Sequence, residues 1–247
     1  MYNKLILLQY LLLMDIGGIN TTNYATKDCI VFDSKTAIRS CNRVCNLLPI
    51  SVQDINKIKC YFSSIPFSWL IAESDSASKE LLEHQGLCTK FTFPAMIKSL
   101  SNATLNDLPH EVTIKLVDIS SLAEWIRIVG HAFKYNEDQL VQFVKYISKE
   151  LGSEDVRFYI AMYNNVSVSA CMKVYHPNSV VSIHMVATLT EYQGKGFAQM
   201  LTEYVLNDSY KRGCTYAVLL ASDKGFRLYS KLGFTMYERY VVYGNYE

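Results

Sequence analysis

The apolar pattern of this chain changes period across Gly196, and that change limits the folds open to it. Before the change, Val180 to Thr188 (VVSIHMVAT) is a β-rich run. After it, Phe197, Met200, Leu201, Tyr204 and Val205 fall at i, i+3, i+4, i+7 and i+8 and build one apolar helical stripe. Lys211 and Arg212 sit in the last turn of that helix, and Gly213 follows as a left-handed cap. At the junction stands Gln193-Gly194-Lys195-Gly196-Phe197-Ala198. Small residues between a strand and a helix let backbone N–H groups approach an anion closely, and the helix N-terminus adds positive potential. This arrangement suits a pyrophosphate. It is neither a Walker loop, which needs Gly-Lys-Ser/Thr, nor a Rossmann fingerprint, which follows a first parallel strand and has an acidic partner about 20 residues on.

Strand and helix patterns continue on both sides of the junction. Val112 to Val117 is a short strand, and Ile119 to Phe133 and Asn136 to Leu151 are two amphipathic helices. Val156 to Tyr163, Val166 to Tyr175 and Val180 to Thr188 are joined by short turns at Asn164-Asn165 and His176 to Ser179, which makes an antiparallel meander. Beyond Gly213 the pattern predicts a strand over Tyr216 to Ala221, a helix capped at Ser222 or Asp223 and closed by Gly233, and a last strand from Phe234 to Tyr243.

The first part of the chain echoes the last. Trp69 to Phe91 parallels Ala217 to Tyr237: Ser74-Asp75 matches Ser222-Asp223 and Gly86-Leu87 matches Gly233-Phe234. Leu82 then falls where the later copy has Tyr229, each four residues before the glycine. Of eleven glycines only Gly17, Gly18 and Gly86 precede residue 112, so the earlier copy lacks a glycine loop.

Composition narrows the function. Half of the 247 residues are hydrophobic, enough for a sizeable core, and a formal net charge of +1 argues against nucleic-acid binding as the main function, which needs a concentrated basic face. Seven cysteines without paired short spacings fit reduced thiols in a cytoplasmic protein. Cys41 and Cys45 have no second pair or histidine hairpin beside them, so no metal site is expected. The opening run, Met1 to Ile16, reads as a docked helix; it is interrupted by Gln9 and too short to span a bilayer, and no membrane attachment is expected.

The glycine segment and the later helix together resemble the GNAT superfamily of acyl-CoA-dependent N-acyltransferases. The family signature Gln/Arg-x-x-Gly-x-Gly/Ala is met by Gln193, Gly196 and Ala198, and Leu228-Tyr229-Ser230-Lys231-Leu232-Gly233-Phe234 is similar to its Tyr-x-Lys-x-Gly-Phe ending. The resemblance runs from Val112 to Glu247. It implies an α/β (α+β) fold with a mixed, largely antiparallel central sheet flanked by helices, in two GNAT-like halves: a degenerate one over residues 1–111 and a catalytic one over 112–247. Acetyl-CoA is the implied acyl donor, with no metal. Val186, Ala187 and Thr188 would offer backbone groups to the pantetheine arm, and the amides of Gln193, Gly194, Lys195, Gly196, Phe197 and Ala198 would hold the pyrophosphate. Lys195 either adds a charge to a phosphate or is solvated. Ser222 stands where many members carry a pantetheine-binding Asn.

The resemblance makes Tyr229 the general acid and the Val186 N–H a donor to the oxyanion. The base is less constrained. His184 is a candidate, sharing a face with Val186 and Thr188 by strand alternation. No Cys-His-Asp order supports a covalent intermediate. The implied reaction is direct transfer of an acetyl group to a primary amine, whether a small molecule, an amino acid, a protein N-terminus or a lysine, in a ternary complex. The acceptor would enter around Gly130, His131 and Tyr135, and a monomer or homodimer is expected. The competing reading is a noncatalytic acyl-CoA-binding regulatory or scaffold protein.

Overall fold

A computed structural model describes residues 29–46, 49–101 and 107–246; the helix expected over Met1 to Ile16 lies outside these residues. In chain order the elements of the first part are β1 (Cys29–Phe32), β2 (Arg43–Asn46), α1 (Val52–Phe62), β3 (Ser68–Ala72), α2 (Ser76–His84) and β4 (Cys88–Ser99). Then follow β5 (Val112–Leu116), α3 (Leu122–Phe133), α4 (Glu137–Ile147), β6 (Val156–Tyr163), β7 (Val166–His176) and β8 (Val180–Thr188). The chain ends with α5 (Phe197–Lys211), β9 (Tyr216–Leu220), α6 (Asp223–Lys231) and β10 (Thr235–Gly244). Two compact units result. The first holds the chain up to Met96 together with Leu220–Phe226 and Met236–Glu247; the second holds Ile97–Leu219 and Arg227–Thr235.

In the first unit the strand order is β1-β2-β3-β10-β4. β2 and β3 run parallel, with Val44 opposite Trp69, whereas β10 returns antiparallel along β3, with Val242 opposite Leu70. α1 starts on a capping box: the Asp54 N–H donates to Ser51 Oγ at 3.2 Å and the Ser51 N–H donates to Asp54 Oδ2 at 3.1 Å. Its apolar face, Ile55, Ile58 and Phe62, is fully buried against Phe67, Trp69 and Leu82. Phe62 and Phe67 stack with centroids 4.7 Å apart, and the buried Trp69 indole N–H is satisfied by Asn46 Oδ1 at 2.6 Å.

In the second unit the order is β9-β8-β7-β6-β5, an antiparallel meander from β5 to β8 with β9 added parallel to β8. α3 covers it through Trp125, which is fully buried, meets Phe158 edge-on at 5.0 Å and donates its indole N–H to Cys171 O at 2.9 Å. Truncating such an anchor costs about 3–5 kcal/mol. Gly130 lets α4 approach α3: a β-carbon there would lie 2.5 Å from the Leu140 side chain. α3 begins three residues later than the periodicity of Ile119 to Phe133 predicts. The Asp118 carboxylate accepts the Ser121 N–H at 3.0 Å and the Ser120 hydroxyl at 2.7 Å, which holds a turn there and leaves Ile119 exposed.

The two echoing segments fold alike in local detail. Asp75 caps α2 by accepting the Ser78 N–H at 3.1 Å, and Ser222 Oγ accepts the Gly225 N–H at 3.1 Å at the start of α6. Each helix closes on a left-handed glycine, Gly86 at φ +77° and Gly233 at φ +83°. The next residue then reaches back five positions in the same way: Leu87 N–H to Leu82 O at 3.0 Å and Phe234 N–H to Tyr229 O at 3.0 Å.

Candidate active site

Two departures from regular pairing in β8 shape the site. The first is on its β7 side. Ala170 pairs with Ala187 and Met172 with His184, so Met185 and Val186 together oppose the single residue Cys171. This is a β-bulge, with Met185 in the left-handed region at φ +51°. The second is on its β9 side. Parallel pairing runs from Val180↔Tyr216 to Ser182↔Val218 and then stops, so β8 from Ile183 to Thr188 has no partner in β9. A bulged strand with an unpaired edge leaves backbone groups to receive an extended chain as a pseudo-strand. Val186, Ala187 and Thr188 lie on it. Ala187 O already accepts the Ser169 hydroxyl at 2.7 Å, and Thr188 Oγ1 lies 2.9 Å from Ser169 Oγ.

The bulge corrects one expectation. Cross-strand partners share a face, so the pairs Met172↔His184, Ala170↔Ala187 and Ser169↔Thr188 put His184 with Ala187 and place Thr188 on the opposite face. Simple alternation, which groups His184 with Val186 and Thr188, fails because the bulge inserts one residue between them. His184 Nε2 lies 2.6 Å from Ser182 Oγ, and His176 Nε2 lies 2.6 Å from that same oxygen. Burial pushes the His176 imidazole down to about 4, so it is neutral at neutral pH.

After β8 a short 3-10 turn leads into the glycine segment. Gln193 spends its N–H on Thr190 O at 3.3 Å, and its side chain donates to Thr188 O at 3.1 Å, which ties the loop to the strand. Gly194 and Gly196 then take φ +76° and +86°, conformations that cost an L-residue about 1–2 kcal/mol. Gly196 is the N-cap of α5 and brings no capping side chain. None of the N–H groups from Gly194 to Gln199 is engaged by another described residue. They include Gly194, Lys195, Phe197 and Ala198. Such a row of unclaimed donors at a helix N-terminus fits a pyrophosphate. Phe197 anchors the row, its buried ring packed on Tyr163 at 5.4 Å and Tyr192 at 6.0 Å. Lys195 is exposed, with its ammonium 5.1 Å from the centre of the Tyr192 ring.

Tyr229 is buried on α6, edge-on to Phe234 at 5.8 Å. Its hydroxyl makes no hydrogen bond to any described residue. Burial, with a smaller effect of the nearby Cys171 thiol, holds the phenol well above its usual range and therefore protonated. Cys171 is the residue that opposes the bulge, so the phenol, the thiol and the open backbone of β8 belong to one region. Ser222 belongs to the first unit, where its hydroxyl serves as the cap of α6.

Sequence patterns did not single out the buried ion pair behind this region. Lys173, fully buried in β7, binds Asp208 of α5, and Asp208 also accepts the Tyr159 hydroxyl at 2.9 Å and the Tyr175 hydroxyl at 3.3 Å. Burial is the largest influence and would raise the Asp208 carboxyl, but the hydrogen bond and charge of Lys173, with the Tyr159 hydroxyl and the Arg212 charge, together outweigh it and hold the group below the ordinary carboxylate range. A lysine inside the apolar run VSVSACMKVY was the available signal. Among the described residues no group of three or more His, Cys, Asp or Glu could hold a metal ion, and no helix is long and apolar enough to cross a membrane.

A bulged strand that splays from its parallel neighbour, followed by a glycine loop and a helix N-terminus, defines a GNAT-like fold. The family described as acetyltransferase (GNAT) matches residues 122–234. Solved structures agree on the fold. A GCN5-related N-acetyltransferase from Kribbella flavida superposes with a TM-score of 0.70 at 17% identity, covering 89% of this chain and 87% of that one. One from Sphaerobacter thermophilus gives a TM-score of 0.69 at 16% identity over 88% of this chain and 75% of that one. A tandem GNAT protein from the clavulanic acid biosynthesis pathway gives 0.59 at 11% identity, over 82% and 74%. No curated protein matches the sequence significantly.

Proposed function

We propose that the second unit transfers the acetyl group of acetyl-CoA directly to a primary amine in a ternary complex. The observation that carries this reading is the bulge at Met185 and Val186, facing Cys171 beside a buried Tyr229 whose hydroxyl has no other described partner. The amides from Gly194 to Ala198 bind the pyrophosphate, and the unpaired edge of β8 from Val186 to Thr188 takes the pantetheine arm. The Val186 N–H stabilises the tetrahedral oxyanion, where a well-placed donor is worth about 2.7–4 kcal/mol. His184 removes the proton of the attacking amine. Tyr229 protonates the departing thiolate, a task suited to a phenol that stays protonated at neutral pH.

Calorimetry with acetyl-CoA and CoA, followed by a thiol-release screen over small amines, amino acids and peptides with free N-termini, tests this. Acetyl-CoA should bind, and at least one acceptor class should accelerate thiol release. Binding without release by any amine would identify a noncatalytic acyl-CoA sensor. Absence of binding at high micromolar concentrations would overturn the reading.

A further inference from the structure

A surface pocket of about 570 Å³, within the size range of small-molecule sites, lies apart from the acyl-transfer region. It sits at the start of β8 and the end of α5, and the 15 residues of α5 separate it from the glycine loop by about 22 Å at 1.5 Å per residue. Its lining carries two arginines, Arg157 and Arg212, and two acids, Glu154 and Asp155. None of the four forms an ion pair with a described residue. Arg157 spends Nη1 on the backbone carbonyls of Ser153 and Val156, and its Nε is buried with no hydrogen bond to any described residue. Arg212 is exposed, but its guanidinium lies 5.2 Å from the centre of the Tyr175 ring, and the Tyr175 hydroxyl is tied to Asp208 at 3.3 Å. Such stacking orders the planar fork before any ligand arrives. Ser179 lines the pocket too. It takes the left-handed region at φ +59°, where glycine is the cheaper residue, and its hydroxyl has no described partner.

We propose that this pocket binds a small zwitterion of the free amino-acid class, a ligand with an ammonium and a carboxylate on one short frame. The balance of charge selects that class. Two guanidiniums and two carboxylates cancel formally, and His176, also in the lining, is neutral because burial pushes its imidazole down to about 4. A phosphate would meet two acids beside the two arginines, and a diamine would meet two arginines beside the two acids. A zwitterion meets partners for both of its charges. Its carboxylate takes charge-assisted hydrogen bonds from Arg212 and Arg157, with the Ser179 hydroxyl as a further donor, and its ammonium donates to Asp155 or Glu154. Opposite charges that share a pocket yet stay beyond ion-pair reach of one another leave room for a ligand between them. The site is independent of the acyl-transfer reading, because it uses no residue of that reaction.

The test uses the full chain without acetyl-CoA. Calorimetry and melting curves are recorded with glycine, β-alanine, γ-aminobutyrate and glycylglycine, zwitterions whose charges stand at increasing separation. At least one should bind with a Kd below about 10 mM, and acetate and methylammonium, which carry one charge each, should bind at least about 10-fold more weakly. Arg212→Gln and the double variant Glu154→Gln/Asp155→Asn should each weaken the tightest of the four about 10-fold or more, the loss expected when a charge-assisted hydrogen bond is removed. Arg212→Lys, which keeps the charge but not the fork, should fall between. Glu154, Asp155 and Arg212 are exposed, so these variants should melt with the wild type. No binding by any of the four probes would overturn the site, and so would binding that both variants leave unchanged. Weakening by one variant alone would also overturn it, because that outcome marks a site for a plain anion or a plain cation. A chain that binds no zwitterion here but releases thiol with an amine loses this site and keeps the acyl-transfer reaction.

Discussion

Replacing Tyr229 by phenylalanine separates chemistry from architecture, because the structure packs the ring and gives the hydroxyl no described partner. The ring packs edge-on against Phe234 at 5.8 Å within a buried environment, and phenylalanine preserves that contact. The hydroxyl donates to no described residue, so its removal orphans nothing. The stability change should therefore stay within about 0.5 kcal/mol, roughly 1–2 °C in Tm for a chain of this length. Turnover should respond very differently. Loss of a general acid costs about 10²- to 10⁴-fold in rate, about 2.7–5.5 kcal/mol at the transition state. Thiol release under saturating acetyl-CoA, paired with calorimetric affinity for CoA, measures both halves: kcat falls by that factor and the affinity holds. The pH profile adds a check. Burial raises the phenol, so the wild-type rate should show no alkaline decline from Tyr229 near its unperturbed pKa of about 10. A variant within about threefold of wild-type kcat would refute the assignment, as would a large loss of stability, which would show that the tyrosine is architectural.

Three further outcomes follow from the same structure. Gly196→Ala has room for its methyl, with Met200 Cε at 3.9 Å, but φ is +86°, so it should lose about 1–2 kcal/mol in denaturant unfolding and weaken CoA binding by misdirecting the loop amides. Asp208→Ala strands the fully buried Lys173; because Asp208 is itself about a third exposed, we expect a loss of about 2–4 kcal/mol at neutral pH, less than for a fully buried pair, and near-recovery in Lys173→Met/Asp208→Leu. His176 has its folded-state value depressed to about 4, so the unfolded chain binds the extra proton first. The stability tied to this group is complete above about pH 6.5 and is lost as pH falls toward 4, by up to about 3 kcal/mol. Melting curves of His176→Gln should show a shallower acid slope than wild type, and parallel slopes would contradict the shift.

What the sequence disclosed were patterns that are local. The strands Val156–Tyr163 and Val180–Thr188 emerge with the bounds that alternation predicts, and Gly213 takes the left-handed cap at φ +87°. What it concealed depends on partners far along the chain. The β8 bulge leaves no mark on composition, since its left-handed residue is Met185 rather than a glycine, and only the register with β7 reveals that His184 and Thr188 face opposite ways. The ion pair of Lys173 with Asp208 joins residues 35 apart, and β10 finds its place beside β3, more than 160 residues earlier.

The repeated strand-helix-strand segments show how little of such a site resides in the backbone. In both, a side chain caps the helix, a left-handed glycine ends it, and the following residue returns a 3.0 Å hydrogen bond to the carbonyl five positions before it. The residue offering that carbonyl is Leu82 in one copy and Tyr229 in the other, both buried. Burial of a leucine at this point contributes packing alone. Burial of a tyrosine contributes nearly the same packing and adds a phenol that desolvation keeps protonated. The cap-and-glycine frame is thus indifferent to chemistry, and the copies differ at this point in one side chain, leucine or tyrosine, and in the glycine loop that follows β8. Tyr229→Leu would give the later copy the residue of the earlier one, and it should remain folded while losing the same rate factor as Tyr229→Phe. A variant that unfolded instead would show that the two frames are not interchangeable.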